Sequence, residues 1–114
     1  MIDLRLLAAL MLATPAAAQT AAPSVLLLAQ ALDRCMATHA VRLTRTDAAD
    51  EAIYSEAQRG CQAIDADLRA AVRAQAPAAQ ADALFAQFDA TARPNFMALL
   101  ARIRSDRAAR AAKD

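Results

Sequence analysis

The sequence predicts an all-α fold, a small helical bundle in which an antiparallel helix hairpin is joined by a disulfide and followed by a long C-terminal helix. Three observations lead to this prediction. Good helix formers such as Ala, Leu, Arg, Gln and Glu dominate the chain, and Gly60 is its only glycine. No Asn-Gly or Asp-Gly pair marks a β-hairpin. Large apolar residues recur at steps of three and four, the period of an amphipathic helix.

The N-terminal segment has the pattern of a cleavable signal peptide. Arg5 adds positive charge ahead of the apolar run 6–13, and the small residues 16–18 precede Gln19. The apolar run is much shorter than the roughly 20 residues that a membrane-spanning helix needs. This pattern predicts cleavage after Ala18 and export through the inner membrane.

The remaining chain has the length of one domain. We expect residues 1–18 to be removed, 19–23 to form a disordered linker and 24–112 to form a single helical domain with no transmembrane anchor. Its predicted location is the periplasm, or the medium if the cell is not Gram-negative.

The first helix is predicted over 24–46, with Ser24 as its N-cap. Thr46 and Asp47 then mark the turn into the second helix. The apolar stripe of the first helix consists of Val25, Leu28, Leu32, Cys35, Met36, His39 and Leu43.

The second helix is predicted over 48–75. Asp47 and Asp50 place negative charge in its first turn, where the helix dipole favours it. Gly60 lies in its middle, either because the helices approach closely there or because an exposed helix tolerates it. The apolar stripe consists of Ile53, Ala57, Cys61, Ile64, Leu68 and Val72.

The third helix is predicted over 78–111, kinked or broken at Pro94, because an interior proline removes a helical hydrogen bond. The apolar stripe keeps its phase across Pro94, which favours one kinked helix over two helices with a turn between them. The stripe consists of Phe85, Phe88, Ala92, Phe96, Leu99 and Ile103.

The two cysteines are predicted to form a disulfide. Cys35 and Cys61 both lie on the apolar stripe of their own helix, and their midpoint in sequence is Ala48, inside the predicted turn. An antiparallel hairpin therefore brings them face to face, and an oxidising compartment favours the bond. The alternative is a copper or zinc site formed by Cys35, His39 and Cys61, since Cys35 and His39 share a helix face.

Composition and the absence of catalytic motifs argue against enzymatic catalysis by this chain. A single histidine and scattered serines offer no nucleophile paired with a base, so we expect no enzymatic activity and no catalytic residue. No motif indicates a cofactor. The formal net charge of +1, together with export, disfavours nucleic acid as a partner.

Protein–protein contact remains as the main functional class. Leu26, Leu27, Met97 and Leu100 lie beside the apolar stripes and are candidates for a partner surface. The basic C-terminus is a second candidate, for an anionic surface, although positive charge there also suits the helix dipole. Its arginines are Arg102, Arg104, Arg107 and Arg110.

The sequence therefore favours a non-enzymatic exported binding protein, with an envelope-stress or holdase-like role. In size, helicity and its single cysteine pair, though in no motif, the chain is similar to small exported bacterial proteins that include acid-stress chaperones. Two alternatives are an inhibitor or immunity-type protein that docks on one exported enzyme, and a protein that binds copper or zinc.

Overall fold

The computed structural model describes residues 24–113, which form four α-helices and no β-strand. The predicted signal peptide and linker (1–18 and 19–23) lie outside the described residues. The helices are α1 (Val25–Leu43), α2 (Asp50–Gly60), α3 (Gln62–Gln75) and α4 (Ala78–Lys113). The predicted all-α fold is confirmed. Within residues 24–113 no helix is both long enough and apolar enough to cross a membrane.

The connection between α1 and α2 is longer than the sequence predicted. α1 ends at Leu43 and α2 begins at Asp50, so Asp47 lies in the connection and not in a helical turn. The Thr46 hydroxyl donates a hydrogen bond to the Leu43 carbonyl (2.6 Å) and accepts one from the Ala48 amide (3.2 Å). These bonds satisfy the carbonyl of the last residue of α1 and an amide of the connection, and they thereby favour a turn over further helix.

The predicted second helix is in fact two helices, α2 and α3, which meet at Cys61. Cys61 has φ −107° and ψ 10°, away from helical values. Its amide still bonds to the Ala57 carbonyl (3.0 Å), and its carbonyl accepts the Asp65 amide (3.1 Å). Gly60, with its low helix propensity, directly precedes the junction. The prediction of one helix over 48–75 was wrong here, because the apolar stripe continues through Cys61 with no change of phase and so gives no sign of the junction.

The long C-terminal helix is confirmed, and it is not broken at Pro94. α4 runs without interruption from Ala78 to Lys113. Proline cannot donate a hydrogen bond to the Ala90 carbonyl, but Ala90 and Pro94 are both exposed, so water can satisfy that carbonyl. The alternative of a turn at Pro94 was therefore wrong.

Two separate apolar clusters attach α4 to the other helices. The first lies where the end of α1 and the start of α2 contact the second half of α4. Its buried members are Ala40, Leu43, Ile53, Ala57, Phe96 and Leu100. The second lies where α3 contacts the first half of α4. Its buried members are Leu68, Val72, Ala81 and Phe85.

The disulfide between Cys35 and Cys61 is present, with the two Cα atoms 6.0 Å apart. Cys61 is almost fully buried, with 1% of its surface exposed, and Cys35 is half-buried. The bond joins the middle of α1 to the junction between α2 and α3. It therefore fixes the register of the hairpin between the two apolar clusters.

Removal of the disulfide should destabilise the fold. The bond closes a loop of 26 residues, for which chain entropy predicts a stabilisation of about 3.5 kcal/mol. We expect the variant Cys35→Ala/Cys61→Ala to lose about that free energy of unfolding, as measured by urea titration followed by circular dichroism. Ser55→Ala, an exposed change in α2, is the control. An unchanged urea midpoint in the double variant would contradict this account.

Candidate functional site

A broad groove separates the two apolar clusters. Between Phe88 and Phe96, α4 carries no large apolar side chain, and residues 89–95 are all exposed. Eight helical residues span about 12 Å. Over that length no large apolar side chain of α4 reaches the hairpin formed by α1 with α2 and α3. An open groove of about 1080 Å³ therefore remains between α4 and the hairpin.

The floor of the groove is mostly apolar. Cys61 is among the residues that line it, although only 1% of its surface is exposed. Met36 also contributes, and its unbranched thioether side chain can adapt to different shapes. The other large apolar residues that line the groove are Leu32, Tyr54, Leu68, Phe88, Phe96 and Leu99. The uncharged polar residues that line the groove are Gln58, Gln62, Thr91 and Asn95, and no polar side chain of residues 24–113 is buried.

Charges of both signs lie on the rim of the groove. Three are acidic and three are arginines, so the rim has no net charge. They are Asp33, Asp65, Asp89, Arg59, Arg69 and Arg102. A balanced rim gives no strong electrostatic preference for an acidic or a basic ligand.

Arg69 joins α3 to α4 at one end of the groove. Its guanidinium donates hydrogen bonds to Asp65 (3.0 Å) and, across the groove, to Asp89 (2.7 Å). The hydrogen bond to Asp89 is the largest of the effects that raise the pKa of Arg69. The same guanidinium lies 5.1 Å from the centre of the Phe85 ring, within range of a cation–π interaction.

Tyr54 lines the groove where it packs against the first apolar cluster. Its ring is tilted against Phe96, with the ring centres 5.2 Å apart. Its hydroxyl oxygen accepts a hydrogen bond from the Gln58 side chain (3.1 Å). Burial raises the pKa of Tyr54, and the negative charges of Asp89 and Asp65 raise it further.

The titration of Tyr54 tests this geometry directly. Tyr54 is the only tyrosine and the chain has no tryptophan, so near-ultraviolet absorbance reports this one group. We expect a midpoint above the ordinary value of 10.0. Because the folded-state pKa is raised, the contribution of Tyr54 to stability is present below pH 10 and is lost as the pH rises through the folded pKa.

Asp89→Asn should move the midpoint of Tyr54 down towards 10.0, because, of the two neighbouring carboxylates, Asp89 raises the pKa of Tyr54 more. Asp82→Asn changes another exposed acid of α4 and should leave the midpoint in place. A wild-type midpoint at or below 10.0, or equal effects of the two variants, would contradict the described position of Tyr54.

The three side chains that the sequence suggested as metal ligands lie close together. One ligand atom from each of Cys35, His39 and Cys61 lies within 4.8 Å of the others. Gly60 makes room for the imidazole, since a Cβ placed there would lie 2.5 Å from His39 Nε2. Of the two explanations for this glycine, the structure therefore supports close approach, with a side chain and not a backbone as the neighbour.

The four leucine and methionine candidates for a partner surface divide into two kinds. Leu26 and Leu27 are exposed, at 65% and 64%. Leu100 is fully buried in the first cluster, and Met97 packs against that cluster. Leu100 therefore belongs to the core and is unavailable to a partner.

Two ion pairs join α4 to the start of α2. Arg104 pairs with Asp50, and Arg93 pairs with Glu51. Asp50 and Glu51 lie in the first turn of α2, where the helix dipole also favours their charge. These contacts help to set the position of α4 above the hairpin.

Arg107 is also engaged within the chain. Its guanidinium donates hydrogen bonds to the Val41 carbonyl (2.8 Å) and to the Thr44 hydroxyl (2.7 Å), and it thereby caps the end of α1. Arg102 and Arg110 are exposed, and Arg102 lies on the rim of the groove. Two of the four C-terminal arginines thus have a structural role.

Sequence reasoning did not predict the groove. The residues between Phe88 and Phe96 contained the signal, since Ala92 continues the apolar stripe but is too small to bridge the space.

Comparison with protein-family models, with curated proteins and with solved structures gives no match for this chain.

Proposed function

We propose that this chain is a non-enzymatic exported binding protein that holds apolar segments of unfolded polypeptides in the groove between its two apolar clusters. The observation that carries the proposal is the groove itself, about 1080 Å³ in volume with a floor of Leu, Met and aromatic side chains. Its length of about 12 Å between Phe88 and Phe96 would accept roughly two turns of a helix.

The character of the floor supports an unfolded client over a small molecule. Small-molecule sites combine an apolar pocket with a few converging polar groups that fix the ligand's orientation. This floor has no buried polar side chain among the described residues, and Met36 can adjust to different partners. Such a surface selects for apolar character and tolerates different sequences.

The neutral rim supports the same conclusion. Its three acids and three arginines suit neither a polyanion nor a strongly basic partner. They do keep the apolar floor bordered by water-soluble side chains, which limits self-association through the groove.

Export is the second part of the proposal. The signal-peptide pattern of residues 1–18 supports it, as does the disulfide, because such bonds persist in oxidising compartments. In the envelope, apolar segments of unfolded proteins would be the ligands available to this groove.

A pair of matched variants tests the groove. Ala92 and Ala90 are both exposed in the middle of α4, but only Ala92 lines the groove. Ala92→Trp should fill the groove and weaken binding about tenfold or more, a loss of about 1.4 kcal/mol. Ala90→Trp should bind as the wild type does. The measurement is binding of a fluorescent apolar peptide, together with suppression of aggregation of a cysteine-free client diluted from denaturant.

The Leu26/Leu27 surface is the competing site on this chain. Leu26→Ser/Leu27→Ser should leave peptide binding unchanged if the groove is the site. The proposal is wrong if that variant abolishes binding while Ala92→Trp retains it, or if the folded wild type binds no apolar peptide and protects no client. Tight binding to one folded enzyme, without any binding to unfolded chains, would instead favour the inhibitor or immunity-type alternative.

A further inference from the structure

Three side chains with metal-binding atoms converge beside the groove. Cys35 and His39 are one turn apart on α1, and Cys61 faces them from the junction of α2 and α3. Their ligand atoms lie within 4.8 Å of one another. Ligand atoms around a tetrahedral zinc ion lie about 3.5–3.8 Å apart, given bond lengths of about 2.3 Å to sulfur and 2.0–2.1 Å to nitrogen. The two bonded sulfurs would have to separate after reduction to reach that spacing, whereas the His39 ring already has a nitrogen within 4.8 Å of both.

The sulfurs are bonded to each other in the oxidised chain, so a metal requires prior reduction. A dithiol reductant would break the Cys35–Cys61 bond by thiol–disulfide exchange and would itself become a disulfide. Two electrons and two protons pass to the cysteines, which gives two thiols. A metal then binds the thiolates, and the two thiol protons leave to water.

We propose that reduction of Cys35–Cys61 converts this cluster into a site for one soft d¹⁰ cation, zinc(II) or copper(I), held by Cys35, His39 and Cys61. Thiolate and imidazole are the ligands that both ions prefer. Three protein ligands would complete a three-coordinate copper(I) site, or leave one position of a tetrahedral zinc site open to water. The disulfide and the metal exclude one another, so the site is available only in the reduced chain.

Gly60 supports a role for His39 in this site. The imidazole lies where any larger residue at position 60 would place its Cβ, 2.5 Å from Nε2 and 2.6 Å from Cε1. This space next to Cys61 lets the ring lie beside the sulfurs. Gly60→Ala would keep both thiols and displace only the ring.

Arg42 has to release His39 before a metal binds. Its Nη2 lies 3.0 Å from His39 Nδ1, so the guanidinium donates a hydrogen bond to that nitrogen. A metal at Nδ1 would replace this bond directly. A metal at Nε2 would need the ring proton on Nδ1, where it repels the donor. Glu56 lies 4.0 Å from the same Nη2 and can accept the released guanidinium.

The test compares metal binding by the oxidised and reduced protein under anaerobic conditions. Zinc(II) is titrated against a chromophoric chelator, and copper(I) is titrated in a separate arm against a copper(I)-specific chelator. Cobalt(II) serves as a spectroscopic probe of thiolate ligands. The reduced wild type should bind one equivalent of at least one of the two metals, whereas the oxidised protein should bind none.

The variants distinguish a metal site that includes His39 from metal binding by the two cysteine thiols alone. His39→Ala and Gly60→Ala should each weaken binding about tenfold or more, while Arg42→Ala should bind as tightly as the wild type or more tightly. Circular dichroism should show that the metal restores any helix lost on reduction. The proposal is overturned if the reduced protein binds neither metal, if the oxidised protein binds equally well, or if reduced His39→Ala retains wild-type affinity.

Discussion

The covalent bond between Cys35 and Cys61 is the constraint on which the arrangement of the described helices depends. It holds α1 in register against α2 and α3 at the point where the apolar core is interrupted. A chain with so many alanines has few large side chains to bury, and a small domain of this kind benefits from a covalent staple. Cys61 also lies at the helix junction, with the His39 ring against its neighbour Gly60.

The long helix α4 completes the structure by contact at its two halves. Apolar side chains attach each half to the hairpin, and pairs such as Arg104–Asp50 and Arg69–Asp89 add polar contacts. Exposed ion pairs contribute little to stability, so the apolar clusters carry most of the attachment. The groove is what remains between the two attachments. Cys61 lines it, and the proposed binding surface and the proposed metal site therefore share a residue.

Sequence periodicity predicted the features that depend on one helix or on a simple hairpin. Register about Ala48 was sufficient to pair Cys35 with Cys61, because antiparallel helices place equidistant residues face to face. Periodicity did not predict the junction between α2 and α3, because the apolar stripe passes through Cys61 without a break in phase. Leu100 lay beside the predicted stripe yet is fully buried, since α4 is contacted by helices from more than one direction.

The central claim is that the groove is the surface that binds apolar polypeptide, and a chemical-shift map of the oxidised protein tests it most directly. On titration with an apolar peptide, we expect the largest shifts at residues of the floor and rim, such as Tyr54, Phe88 and Asp89. The exposed residues Leu26 and Leu27 should change little. Shifts confined to Leu26 and Leu27, with the groove unaffected, would contradict the account.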